Sequence, residues 1–369
     1  MKIEMMIMDK KKPYSKLLDT KYISNKLKYI EIFQLYNMNK NLPKQYISQF
    51  NPIDIEKNYT VLNNEKKTVF KKLTTGIINR NITDTLNSAI ELHCSGYIDN
   101  VIQKLSQYYF NEINIAQLQG INYIHTFMKY YNDTYVYKIK KTHPLLLVND
   151  QVIRNFICFF VVILLTSNQR KLIKLPKIKT NDFDLSEKKE KKELISTTLH
   201  LVYKFVHRNE PKEIIIPLSE ICHLFQDTSF VDREHKIIYW ISWLLEYEKV
   251  CHNNNLLVGT RPVAGIDSKY HKDFIWIIWN IIKHYANTTN NDLIEKLFEL
   301  YTSNYTRGTK KSRSNLIILA VLLVVNPTPS IQYPISPLSQ DQYAKGTIHC
   351  LRANKYYLKL FQHKVLNSM

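Results

Sequence analysis

The sequence predicts an all-α fold, multi-helical, in two helical subdomains around a central tryptophan-containing helix pair. Three observations carry that prediction. Apolar residues recur at three- and four-residue spacing through most of the chain. Two apolar runs, 156–165 and 316–325, read as buried core helices, because each falls well short of the ~20 residues a spanning helix needs. All four tryptophans lie in two segments that read alike. The first is His235-Lys236-Ile237-Ile238-Tyr239-Trp240-Ile241-Ser242-Trp243, and the second is His271-Lys272-Asp273-Phe274-Ile275-Trp276-Ile277-Ile278-Trp279. His, Lys, Trp, Ile and Trp recur in register, as a duplicated helix would leave them.

Taken in order, residues 22–37 form a helix with Ile23, Leu27, Ile30 and Phe33 on one face. Pro43 and Pro52 make 41–59 a loop with short turns. A basic amphipathic helix covers 62–80 through Val69, Phe70, Leu73 and Ile77. Asn81 or Thr83 caps the next helix, 84–94, and Gly96 ends it. Helices over 97–111 and 117–131 follow, then a short strand at 135–141 and a buried helix over 148–167. The clearest boundary is 168–192, a basic linker and the opening of a helix, which divides subdomain 1–167 from subdomain 193–369. Ser186 is a candidate N-cap, and Glu187 suits the positive end of the dipole; that helix runs to about His207. Past a connector at 210–217 come helices over 218–226, the two tryptophan segments, and 292–301. A basic loop spans 305–314, and a buried helix covers 315–325. Pro327, Pro329, Pro334 and Pro337 make 326–337 an extended strap, and a basic helix closes the chain over 339–365.

Composition is that of a globular protein, 45% hydrophobic and 22% charged. Lys and Arg number 51 against 32 Asp and Glu, a net charge of +19. Such a charge attracts polyanions, nucleic acid first, DNA ahead of RNA. The alternative is a Lys-, Asn-, Ile- and Tyr-rich composition inflated by AT-rich codons. The first residues lack the apolar core of a signal peptide, and five cysteines is an odd number. An intracellular, reducing compartment follows as the expectation.

Several chemistries are excluded by their missing frames. The sequence has no G-x-x-x-x-G-K-[ST] and no G-x-G-x-x-G, so nucleotide phosphates have no glycine cradle. It has no G-x-S-x-G frame for a nucleophile. Four cysteines adjoin a histidine (His93-Cys94, Cys222-His223, Cys251-His252, His349-Cys350), but neighbours on a helix point ~100° apart and seldom ligate one ion together. No metal, cofactor, small-molecule substrate or catalytic residue is expected. Glu246 and Glu248 read as a solvated edge.

The sharpest candidate site is Arg307, Lys310, Lys311 and Arg313, where cations surround hydroxyls and amides that grip phosphate, ahead of a helix at about Ser312. Arg170, Lys171 and Lys174 are secondary candidates, and Lys188–Lys192 follows, its field partly cancelled by Glu187, Glu190 and Glu193.

The run Val101-Ile102-Gln103-Lys104-Leu105, then Asn111-Glu112-Ile113-Asn114-Ile115-Ala116, and the apolar stretch that ends Leu165-Thr166-Ser167-Asn168, resemble the C-terminal helical region of the replication-associated recombination protein A family of AAA+ ATPases. The resemblance covers a small share of the chain and leaves out the ATPase motor. It implies a helical oligomerisation module near replicating DNA. The phrase Ala89-Ile90-Glu91-Leu92-His93-Cys94-Ser95-Gly96-Tyr97 resembles proteins of large AT-rich DNA viruses, which implies no activity. The expectation is a non-enzymatic accessory or assembly protein of replication, repair or transcription that binds phosphate backbone and a protein partner or itself. The alternative is a structural or scaffolding virion protein with incidental charge.

Overall fold

A computed structural model describes residues 55–135, 144–185, 199–326 and 340–367. The expected helix at 22–37, the strand beyond Tyr135, the proline strap past Asn326 and Lys188–Lys192 lie outside them; of the helix expected from Ser186 to about His207 only 199–207 are described, and they form a 3₁₀ turn, Leu199–Leu201, followed by turns rather than an α-helix. Among the described residues the fold is all-α, with one isolated bridge between Tyr59 and Glu65. No described helix is long and apolar enough to cross a membrane.

The chain forms two compact units that are discontinuous in sequence, where the sequence reading draws continuous ones. Unit one takes the described residues up to Tyr108, those of Thr126–Ser167 and the C-terminal helix; unit two takes Tyr109–His125 and the described residues of Asn168–Tyr333.

Unit one opens with α1 (Lys66–Ile78) and α2 (Ile82–Cys94), a close pair. Gly76 makes that closeness possible, since a Cβ there would stand 2.7 Å from Thr85 Oγ1. Asn81 caps α2 by accepting the Asp84 N–H at 3.1 Å. Gly96, at φ 81°, ends it. Next come α3 (Ile98–Tyr108), α4 (Gln119–Thr134), which belongs to unit one only from Thr126 onward, α5 (Pro144–Asn149) and α6 (Gln151–Thr166). The helix expected over 148–167 is split at Asp150, whose carboxylate accepts the N–H groups of Val152 (2.7 Å) and Ile153 (3.2 Å) and the hydroxyl of Tyr130 (2.6 Å). α6 is the axis of the unit. It is buried from Val152 to Leu165 except Asn155, and α2, α3 and the last helix pack on it. His93 sits in this core between the Tyr357 hydroxyl (2.8 Å) and the Leu147 carbonyl (3.1 Å). Burial, ahead of the charge of Arg154, lowers its pKa to about 3, so it stays neutral.

Unit two begins with a π-helical turn, Tyr109–Ile113, and a 3₁₀ turn, Asn114–Gln117. Its main helices are α7 (Ile215–Gln226), α8 (Arg233–Asn253), α9 (Ile275–Tyr285), α10 (Asn291–Thr302), α11 (Arg307–Ser312) and α12 (Ser314–Val325). Last in the chain, and part of unit one, is α13 (Gln340–Asn367). α8 and α9 carry the four tryptophans. Both pack on α7 and on α12, and these two helices tie them together. The sequence repeat is only partly structural: His235 and Lys236 lie inside α8, whereas His271, Lys272 and Asp273 form the turn before α9.

Gly120 lies against the Tyr109 ring, where a Cβ would stand 2.3 Å from Cε2. The ring is held by its hydroxyl, which donates to the Gln117 carbonyl at 2.6 Å. Alanine is the better helix former by about 1 kcal/mol, but overpacking a fixed ring costs about 1–3 kcal/mol. Gly120→Ala is therefore expected to destabilise the protein in urea denaturation, and a stabilised variant would show that the ring moves freely.

Candidate nucleic-acid interface

The basic residues 307–313 are not the loop that the sequence suggests. Thr306 accepts the Thr309 N–H, and the Thr309 hydroxyl oxygen accepts the Thr306 N–H at 2.9 Å, a capping box that starts α11 at Arg307. That short helix turns most of its charge inward. Lys310 pairs with Glu248, whose side chain is 2% exposed. Arg307 brings Nε within 3.4 Å of Asp273 Oδ1, and Asp273 is wholly buried. Arg313 donates to the carbonyls of Tyr301 and Ser303, each at 2.6 Å, and burial lowers its pKa. Lys311 alone of the four is exposed without such a contact among the described residues.

The reason lies in the two acids. Phe274 N–H donates to Glu248 Oε1 at 3.0 Å, and the Tyr305 hydroxyl donates to Asp273 Oδ2 at 2.8 Å. Neutral donors do not offset the loss of water around a buried carboxylate, so cations must be brought in. Glu248 is thus no solvated edge. The signal was present in the spacing: Ile237, Ile241, Leu244 and Glu248 share one helical face, and the first three are buried. His252, Glu248 and Asp273 also place one donor atom each within 4.8 Å of one another, with Lys310 and Arg307 already supplying the positive charge.

The secondary candidates fare differently. Residues 168–179 run extended along unit two, fixed by their backbone. Arg170 N–H donates to the Glu112 carbonyl (2.7 Å) and Leu172 N–H to that of Asn111 (2.8 Å). Asn114 Nδ2 donates to the Arg170 carbonyl. Further along, the Ser242 hydroxyl donates to the Pro176 carbonyl (2.6 Å) and Trp243 Nε1 to that of Asp182 (2.7 Å). Phe183 packs edge-on against Trp243 at 5.3 Å. Leu172 is buried, and Ile173, Leu175 and Ile178 are half-buried. Arg170, Lys171, Lys174, Lys177 and Lys179 are all exposed, and no ion pair engages any of them among the described residues.

No protein-family model, no curated protein and no solved structure matches this chain. Its function must be read from its own residues. Asn111 joins the two sets of cations: its carbonyl holds Leu172, and its Oδ1 accepts Asn315 Nδ2 at 3.4 Å, two residues beyond Arg313. The start of the extended segment therefore lies beside the α11–α12 junction. Stacking of bases has less to draw on, since Tyr109, Tyr123, Tyr130, Tyr131, Tyr301 and Tyr357 are buried.

Proposed function

We propose that the chain is a non-enzymatic nucleic-acid-associated protein that binds phosphate backbone, DNA ahead of RNA. Its contacts are Arg170, Lys171, Lys174, Lys177 and Lys179 on the extended segment, with Lys311 and the exposed half of Arg307 beside them. One observation carries the reading: a backbone anchored at both ends holds five cations outward, none of them in an ion pair among the described residues. Cations presented this way fix a polyanion in register without reading its bases. Lys310 and Arg313 leave the contact set, because their charge serves buried partners. The resemblance to the recombination protein family favours an assembly role at replication, with self-association or a protein partner.

Fluorescence anisotropy on single- and double-stranded DNA across a salt series tests this. Binding is expected to weaken steeply with salt. Changing the five cations to Gln is expected to reduce the log–log slope by about 4.5 on duplex DNA, since each lost phosphate contact removes about 0.9. Absence of binding at the lowest salt would overturn the reading and leave a scaffold with incidental charge. An unchanged slope in the variant would move the site elsewhere.

A further inference from the structure

All five cysteines are free and buried, and two of them, in unit one, are in side-chain hydrogen-bond contact. Cys158 lies on α6 and Cys350 on α13, and each is 2% exposed. Two contacts on either side set their register. On one side the Arg154 guanidinium lies 4.4 Å from the centroid of the Tyr357 ring. On the other, Gly346 backs onto Phe159 so closely that a Cβ would stand 2.6 Å from the ring. Pairing 154 with 357 and 159 with 346 is an antiparallel register, and it sets 158 opposite 350. The contact with Cys158, ahead of burial, also holds the Cys350 thiol well above its ordinary pKa, so a bulky reagent has no easy access and oxidation through the scarce thiolate is slow.

We infer that Cys158 and Cys350 form a peroxide-driven disulfide that fastens the C-terminal helix to α6. A small neutral oxidant suits this buried seam. One sulfur, as thiolate, attacks a peroxide oxygen; the O–O bond breaks, leaving a sulfenic acid and hydroxide. The second thiolate then attacks the sulfenic sulfur, the S–O bond breaks and hydroxide leaves. The two protons given up by the thiols meet the two hydroxides, so peroxide becomes two waters and the sulfurs lose two electrons. A dithiol reductant reverses the bond by exchange.

The full-length protein is treated with hydrogen peroxide, unfolded, and its free thiols counted and mapped by mass spectrometry. The count is expected to fall by two from five, with residues 158 and 350 in one linked peptide. The oxidised protein should melt at a higher Tm, and dithiothreitol should abolish the shift. Cys94→Ala should still lose two thiols, and Cys350→Ala none. Five remaining thiols after excess peroxide, a link between another pair, or sulfinic acid at either position without a link would each overturn the inference. The linked-peptide readout needs no variant, so a poorly folding Cys350→Ala leaves it decisive.

Discussion

Replacing Glu248 with alanine is expected to lower stability by about 3–5 kcal/mol, the usual cost of stranding one member of a buried ion pair. Glu248 accepts from both Lys310 and Phe274 N–H, so its loss leaves a lysine that is only 17% exposed and a buried amide without their acceptor. The measurement is convenient, because all four tryptophans lie on α8 and α9 and their fluorescence reports this unit. Lys310→Met is expected to be nearly as costly, since it strands the carboxylate. Glu248→Leu combined with Lys310→Met should recover much of the loss, so the double-mutant cycle should show strong coupling. Losses under 1 kcal/mol in the single variants would show that the pair is solvated. The same variants separate two roles of positive charge: Lys310→Met should weaken folding and leave the salt slope of DNA binding as it was.

A second large effect is expected at Glu210. Each of its carboxylate oxygens takes two donors. Oε1 accepts Arg261 Nη1 at 2.7 Å and Gly259 N–H at 2.8 Å, and Oε2 accepts Arg261 Nη2 at 2.7 Å and His207 N–H at 2.8 Å. The two side chains are 1% and 7% exposed. Burial by itself would raise the carboxyl pKa, but the Arg261 hydrogen bonds, the two amides and the guanidinium charge together hold it below its ordinary value of 4.5. A carboxyl that is more acidic when folded stabilises the protein above its unfolded pKa. That contribution is lost as pH falls from about 4.5 through the lower folded value. Glu210→Gln is therefore expected to cost about 3–5 kcal/mol at neutral pH. It should also flatten the acid limb of the stability curve. An acid limb identical in parent and variant would assign acid unfolding to other carboxylates.

What was legible in the sequence was local. Apolar spacing located most of the described helices, Asn81 and Gly96 marked the ends of α2, and the short apolar runs at 156–165 and 316–325 are buried cores. The basic candidates were legible as charge but not as exposed charge. Nothing in their own spacing distinguishes Lys310, consumed by Glu248, from Lys174, which faces solvent, because the acid lies 62 residues away. The period of α8 did place Glu248 on its buried face, and that was the one cue that a distant cation had to answer it. Membership of the units was not legible either, because α13 meets α2 and α6 through residues some 200 positions distant in sequence, such as the Gly346 backbone against the Phe159 ring.

That long return has a consequence for how the polypeptide is made. Every described residue of unit two lies at or before Asn326, so its interior is complete while α13 is still to be synthesised. Unit one is begun first and finished last. Until Gly346, Cys350, Ala353, Tyr357 and Leu360 leave the ribosome, α6 has one apolar flank facing water, and it waits in that state for as long as translation of unit two takes.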